Sequence, residues 1–257
     1  MTGVSLSLEE KVALITGGSR GIGAATVRMF AAAGARVVFS YQKALAEAEK
    51  LVAELGAERV HAVQSDLNSP QSAEGLVAAT VERFGRVDAA VLNHGIWPAE
   101  DIGVDEMSYE HWLRTINVNL NSVFGLLKHT VEQMKKQGHG GHIVIISSTS
   151  GQRGEAYHCD YSATKGAIIS LVKSLAAELA KDRIYVNAVA PGWVRTDMVQ
   201  PVMDDPRTGD VIRKTIPMAR IGEPEEIAGP VLFLCTKHAG FITGEIFNVN
   251  GGAVLVG

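Results

Sequence analysis

Cysteine is scarce in this sequence. Cys159 and Cys235 are the only two in 257 residues, far apart and in no Cys-x-x-Cys spacing, which argues against a disulfide framework or a thiolate metal site. A reducing cytoplasm is the compartment that fits. There is no run of about 18 apolar residues, and Met1 to Glu10 carry neither a charged leader region nor an apolar one. We therefore expect neither a membrane span nor an exported chain. Basic charge is thin too: 24 basic residues stand against 28 acidic, net −4, with no basic run beyond Lys135-Lys136. That leaves no electrostatic footprint for nucleic acid or an anionic membrane. The partners that remain are small molecules and further copies of the chain. No Ser-rich or Pro-rich linker, low-complexity tract or short-period repeat divides the sequence, and 46% hydrophobic content at this length can bury one large core. A single domain over residues 1–257 is expected.

What is present is an alternation of short apolar runs and longer stretches of helical spacing. Lys11 to Thr16 reads as a strand, residues 21–34 as a helix, and Val37 to Ser40 as a second strand. The spacing then predicts helix 44–55, strand 59–64, helix 70–84, strand 87–92, one long helix 108–136 and strand 142–147. A helix from Tyr161 to about 181 follows, then strand 184–189, helix 225–236 and strand 245–250. Strands alternating with helices of ten or more residues imply right-handed crossovers between parallel strands. The predicted fold class is therefore α/β, a Rossmann-type doubly wound sheet of about seven parallel strands with helices on both faces.

Two motifs carry chemistry. Thr16-Gly17-Gly18-Ser19-Arg20-Gly21-Ile22-Gly23 follows the first strand and opens a helix. Glycines there let the backbone turn sharply and approach a pyrophosphate, whose charge then sits on the helix N-terminus. The second motif is Tyr161 and Lys165, four apart where an apolar stripe begins (Ala163, Ala167, Leu171, Leu175, Leu179), so that both share one helical face. A phenol titrates near ~10, and a single cation about 4 Å away at moderate dielectric could shift it by roughly three units, toward the working range of an acid-base group.

Together with a serine thirteen residues before the tyrosine, these motifs resemble those of the classical short-chain dehydrogenase/reductases, in order and over nearly the whole chain. The pattern is most similar to 3-oxoacyl-(acyl-carrier-protein) reductase-like members. The resemblance implies catalytic roles for Asn119, Ser148, Tyr161 and Lys165. It implies adenine contacts from Asp66 and Leu67, support of the adenine ribose by Asn93 and Gly95, and a nicotinamide turn at Pro191, Gly192, Val194 and Thr196. Lys165 is further implied to bind the nicotinamide ribose, and Asn119 to hold a water that connects Lys165 to solvent. Ser147 is set aside because the spacing to Tyr161 selects Ser148 and neighbours on a strand point to opposite sides.

Where the family usually has Asn-Asn-Ala-Gly, this chain has Leu92-Asn93-His94-Gly95, and His94 reads as a partly buried, hydrogen-bonded residue outside the chemistry. His139, His142, His158, Cys159 and Asp160 lack zinc-like spacing, so no metal is expected. Asp160 is placed to favour the N-terminal turn of the Tyr161 helix. Tyr157, Trp97, Trp193 and Met198 are candidates for the substrate wall. Residues 197–222, with Pro201, Pro206, Gly209 and Pro217, read as a lid over the substrate.

Cofactor choice is read at the end of the second strand. An NAD-preferring chain carries an acidic residue there, whereas this one has Tyr41 and no carboxylate until Glu47. Arg20 in the glycine loop, with Ser40, Gln42 or Lys43, could meet a 2'-phosphate. The glycine loop as a whole (Gly17, Ser19, Arg20, Gly21, Ile22, Gly23), with Ser40 and Tyr41, is thus assigned to NADP(H). The resulting expectation is an NADP(H)-dependent oxidoreductase interconverting a ketone or 3-oxoacyl carbonyl and a secondary alcohol. It would be cytoplasmic and form a homotetramer or homodimer. Two other readings stay open, an NADP-binding sensor or assembly subunit without catalysis and an NAD-dependent sugar or polyol dehydrogenase.

Overall fold

Four consecutive apolar residues, Val12–Ile15, form the interior strand β1, and all are inaccessible to solvent, as a strand covered on both faces requires. The computed structural model describes residues 5–68 and 70–255. Residues 1–4 of the N-terminal stretch, with 69, 256 and 257, lie outside the described residues. After β1 come α1 (Gly21–Ala32), β2 (Arg36–Tyr41), α2 (Leu45–Leu55), β3 (Val60–Gln64), α3 (Pro70–Phe84) and β4 (Ala89–Leu92). The second half runs α4 (Tyr109–Ile116), α5 (Ser122–Gln137), β5 (Gly141–Ile146), α6 (Thr149–Arg153), α7 (Cys159–Leu179) and β6 (Ile184–Pro191). It ends with α8 (Gln200–Asp204), α9 (Pro206–Thr215), α10 (Pro224–Leu234) and β7 (Ile246–Val249).

The strands form one seven-stranded sheet in the order β3-β2-β1-β4-β5-β6-β7, and each pairing is parallel. Alternate residues feed two cores. Ala13, Ile15, Val37, Phe39 and Val91 pack with Val27 and Phe30 of α1 and Val231 of α10. Val12, Leu14, Val38, Ala90 and Leu92 pack with α3, α5 and α7 through Leu76, Leu126 and Ile168. The chain moves outward from β1 to β3, then returns to the other side at β4. The crevice above the carboxyl ends of β1 and β4 is therefore the topological switch point of the sheet, where α/β folds place ligands.

Three expectations need correction. The long helix predicted over 108–136 is helical from Tyr109 to Gln137 but not uniformly α, because Asn117–Asn121 forms a π-helical turn between α4 and α5. That wider turn swings Asn119 inward until it is fully buried, and such turns gather at functional sites. The stripe that α7 buries is Thr164, Ile168, Val172, Ala176 and Leu179, one row round from the predicted one. Leu171 and Leu175 only flank the core, and Ala163 is exposed. Strand β4 begins at Ala89 rather than 87 because the Val87 N–H donates to the side chain of Gln137 at 2.7 Å instead of to a neighbouring strand.

Candidate active site

A cleft of about 910 Å³ opens above the carboxyl ends of β1, β4, β5 and β6. Its floor on one side is the glycine turn. Gly17 and Gly21 have φ of +62° and +52°, a left-handed backbone that favours glycine. At Gly23 a Cβ would lie 2.0 Å from the Gly17 carbonyl oxygen, so only glycine lets α1 begin this close to the turn. The N-cap is Arg20, whose side chain makes no capping hydrogen bond, so the first-turn N–H groups of α1 remain available to an anion. A turn this tight, with bare donors at a helix start, fits the pyrophosphate of a dinucleotide.

The flanking residues brace that turn. Ser40 is buried and its hydroxyl accepts from Gly17 N at 3.2 Å. Asn93 donates to the carbonyls of Thr16 and Gly17, both at 3.1 Å, tying the end of β4 to the loop. Asp66 accepts from Gln42 at 3.0 Å and from Asn68 at 2.7 Å. Arg20 is exposed and lies 3.5 Å from Asp197. Ser19, Ile22, Tyr41, Leu67, Pro191, Gly192, Val194 and Thr196 line the same cleft. Thr196 packs against the loop, since a Cβ at Gly21 would meet its methyl group at 3.0 Å. Gly23 lies beneath the lining rather than in it.

The catalytic candidates converge at the other end. Ser148 caps the short helix α6, accepting from Ser150 N at 3.1 Å, and hydrogen-bonds Tyr161. Ser147 points elsewhere, donating to the Lys165 carbonyl at 2.9 Å, as strand alternation requires. Lys165 is buried, with Nζ 5.6 Å from the centre of the Tyr161 ring, and donates to the Ile146 carbonyl at 2.8 Å.

Asn119 stands behind the cleft rather than in its lining. Its side chain accepts from Ile96 N and donates to Ile96 O, each at 2.8 Å, and reaches Thr164 at 3.4 Å. It thus clamps the loop that follows β4. Gly95 lies on that loop, where a Cβ would come within 3.2 Å of Asn119 Oδ1 and 3.6 Å of Lys165 Nζ.

The electrostatics reverse one expectation. Burial pushes the Tyr161 phenol up to about 12, against the lowering effect of its hydrogen bond to Ser148 and with a further push from the Glu155 carboxylate. Burial also lowers Lys165 to about 8. Desolvation acts on both groups, and the lysine is spent on a strand carbonyl, so the cation does not bring the phenol's pKa down to neutral pH. At neutral pH the phenol holds its proton, which suits a proton donor.

His94 is fixed by two hydroxyls, Thr16 at 2.7 Å on Nδ1 and Ser122 at 2.6 Å on Nε2. Ser122 has one hydrogen, and its 2.6 Å bond to the Val118 carbonyl uses it. Nε2 of His94 therefore carries the proton. Burial first, then the Lys165 charge, holds this ring down to about 3, so it stays neutral.

Among the substrate-wall candidates Trp97, Trp193 and Met198 line the cleft. Tyr157 does not: it is exposed, with φ +66° in a turn, because α7 begins only at Cys159. Asp160 lies in the first turn of α7 as expected, fully buried, with His111 Nε2 at 3.3 Å. The sequence reading missed Glu155, Thr164, Ile96 and Asp197. Glu155 lies in an irregular loop and Asp197 is brought to Arg20 only by the fold, so no local spacing marked either. Among the described residues no three or more His, Cys, Asp or Glu side chains are placed to hold a metal ion.

Comparison with known proteins points the same way. Residues 17–254 match the family model described as enoyl-(acyl carrier protein) reductase. A 3-oxoacyl-(acyl-carrier-protein) reductase from a Synechocystis species is 40% identical over 253 residues, covering 97% of this chain and 99% of that one. An L-rhamnose 1-dehydrogenase (NAD(P)(+)) from a Sphingomonas species is 38% identical over 250 residues, covering 95% and 96%. The crystal structure of a short-chain dehydrogenase/reductase, a glucose/ribitol dehydrogenase from Brucella melitensis, superposes with a TM-score of 0.90 at 34% identity, covering 98% of this chain and all of that one.

Proposed function

The chain belongs to the short-chain dehydrogenase/reductase family, and on that premise we propose that it is an NADP(H)-dependent oxidoreductase interconverting a carbonyl and a secondary alcohol. The observation that carries this reading is the meeting, in one cleft, of the bare N-terminus of α1 with Tyr161, Ser148 and Lys165. Relatives named as a 3-oxoacyl reductase and a rhamnose dehydrogenase support the same type of reaction, and the second is named for NAD(P)(+). A cytoplasmic setting is part of the proposal.

NADP(H), when bound, supplies or accepts the hydride. It would be held by the glycine turn with Arg20 and Tyr41 at one end, by Asp66, Leu67, Asn93 and Gly95 in the middle, and by Lys165 and the 191–196 turn at the nicotinamide end. The remaining steps belong to the protein. In the reducing direction Tyr161 donates its proton to the substrate oxygen as charge develops there, and the Ser148 hydroxyl hydrogen-bonds the same atom. The phenolate left behind lies on the same helical face as Lys165, whose Nζ is 5.6 Å from the ring centre, until a proton returns. In the oxidising direction the phenol must first ionise, a step that its burial opposes. Asn119 acts by holding Ile96, and with it the wall of the site. Residues 197–222 would close over the substrate.

The test is the loss of reduced-nicotinamide absorbance over a panel of carbonyl substrates, with wild type and Tyr161→Phe. We expect turnover in the variant to fall at least about a hundredfold with NADPH affinity nearly unchanged. A variant keeping more than about a tenth of wild-type activity would remove Tyr161 from this role.

A further inference from the structure

His94 stands where the glycine turn, the end of β4 and the π turn meet. It lines the cleft, and its backbone backs the glycine turn, since a Cβ at Gly17 would lie 3.2 Å from His94 Cα and 3.3 Å from His94 Cβ. Its ring spans the gap from that turn to the π turn. Nδ1 lies 2.7 Å from the hydroxyl of Thr16, the residue before Gly17, and Nε2 lies 2.6 Å from the hydroxyl of Ser122, the first residue of α5. Ser122 itself is buried and does not line the cleft.

The π turn prepares the acceptor at that far end. The Ser122 N–H bonds the Asn117 carbonyl five residues back, and the Ser122 hydroxyl donates to the Val118 carbonyl four residues back at 2.6 Å. With its one hydrogen committed there, the Ser122 oxygen can only accept from His94. The imidazole is therefore the Nε2–H tautomer, and its bare Nδ1 takes the hydrogen of the Thr16 hydroxyl. A ring fixed in this sense at both nitrogens cannot turn without losing a bond. The same π turn buries Asn119, which holds both peptide groups of Ile96, two residues beyond His94. The segment after β4 is thus fastened to the glycine turn by Asn93 and to the π turn by Asn119, and His94 joins those two anchors directly.

We propose that His94 is a positioning residue for the dinucleotide, a tie through which the π turn holds the glycine turn in the shape that binds. The inference rests on the oxidoreductase reading above for the ligand it names. The start of α1 offers bare N–H groups to a pyrophosphate only while Thr16 and Gly17 keep their orientation, and a turn that must be ordered at the moment of binding loses affinity. Cutting the tie at Ser122, on a hydroxyl outside the cleft, should therefore weaken the cofactor. It should do so for both nicotinamide cofactors, because the pyrophosphate seat is common to them.

The test titrates intrinsic fluorescence with NADPH and with NADH in wild type, Ser122→Ala, His94→Asn and the double variant. Ser122→Ala removes the acceptor, whereas His94→Asn keeps an acceptor at the δ position for Thr16 but has no atom that reaches Ser122. Thermal melts of the unliganded proteins set a temperature at which all four are folded. We expect each single change to weaken both cofactors about three- to tenfold, the effect of one hydrogen bond, and the double variant to bind no more weakly than either. In carbonyl reduction the KM for NADPH should rise by the same factor while kcat at saturation stays within about twofold of wild type. Unchanged affinities in Ser122→Ala, losses that multiply in the double variant, or a fall in kcat with the KM for NADPH unchanged overturns the inference and leaves the oxidoreductase reading in place. A wild type that binds neither cofactor overturns both.

Discussion

Arg20 and Lys165 show how one charge serves different ends. Arg20 caps the start of α1, is exposed, and has as its charged neighbour Asp197, 3.5 Å away at the edge of the lid segment. Tyr41, not a carboxylate, ends β2, and the nearest acid along the chain, Glu47, is already inside α2. A charged hydrogen bond to a 2'-phosphate contributes roughly 1.5–3 kcal/mol, so Arg20→Ala should weaken NADPH about ten- to hundredfold and leave NADH nearly unchanged. Titration of intrinsic fluorescence with each cofactor reads this out, and equal weakening of both would rule out a 2'-phosphate site at Arg20. Exposed ion pairs contribute at most about 1 kcal/mol, so Asp197→Asn should tighten NADPH no more than about fivefold. Lys165 is the opposite case, a buried cation held down to about 8 by desolvation. Below that pH the folded state carries a charge that water would solvate better, and the cost disappears as pH rises toward the unfolded value of 10.5. Lys165→Met should therefore abolish turnover yet raise stability at pH 7 by on the order of 1–3 kcal/mol, a gain that fades by about pH 10. Denaturant midpoints at the two pH values check it, and a variant less stable than wild type at pH 7 would contradict it.

At the scale of elements, the glycine turn and α1 behave as one unit, and Gly23 is its tightest point. A methyl group there would sit 2.0 Å from the Gly17 carbonyl and 2.7 Å from the Asn93 amide that holds the same loop. Gly23→Ala must push α1 away from the turn, an overpacking cost of about 1–3 kcal/mol. It should weaken NADPH and NADH alike, unlike Arg20→Ala, because the shared pyrophosphate seat is what moves. A Gly23→Ala protein that melts like wild type and binds both cofactors normally would show that the turn tolerates the shift. The turn was legible in the sequence because its glycines follow a strand directly, and Tyr161 and Lys165 were legible because helical spacing puts them on one face. The π turn at Asn117–Asn121 was not, since apolar spacing through Val118, Leu120 and Val123 continues as it would in an α-helix. The row that α7 buries was misread by one residue for a related reason: Ala163 and Ala167 are apolar but small. The sheet takes its packing volume from Ile168 and Val172 instead.

Over the whole molecule, the parallel pairing of about seven strands followed from alternation, because each crossover helix needs a sheet face and each strand end must lead into one; their order across the sheet came only with the structure. What alternation cannot supply is the distance between Tyr161 and the Glu155 loop, or the balance of burial against charge that sets the phenol, since both depend on packing across elements. The same limit applies to assembly. A homotetramer or homodimer needs apolar surface to spare, yet of the apolar residues on α5 and α7, Val123, Leu126, Leu127, Ile168 and Val172 are buried in the core of the chain itself. Phe124 is not: it is 62% exposed on the helical rod that also carries Tyr109 at 87% and Leu113 at 52%. Tyr109 and Leu113 stand one turn apart and Phe124 further along the same rod, and such exposed apolar side chains are disfavoured by water and could be covered by a second copy. Burying a phenylalanine on association contributes about 1.5–3 kcal/mol, and a two-fold axis applies it twice. Phe124→Glu, which sets two carboxylates against each other across such an axis, should shift the assembly toward monomer by at least about a hundredfold in dissociation constant while leaving the monomer folded. Light scattering at micromolar concentration with a circular dichroism melt separates these effects. A wild-type monomer, or an assembly indifferent to Phe124→Glu, would place the interface elsewhere or nowhere on this rod.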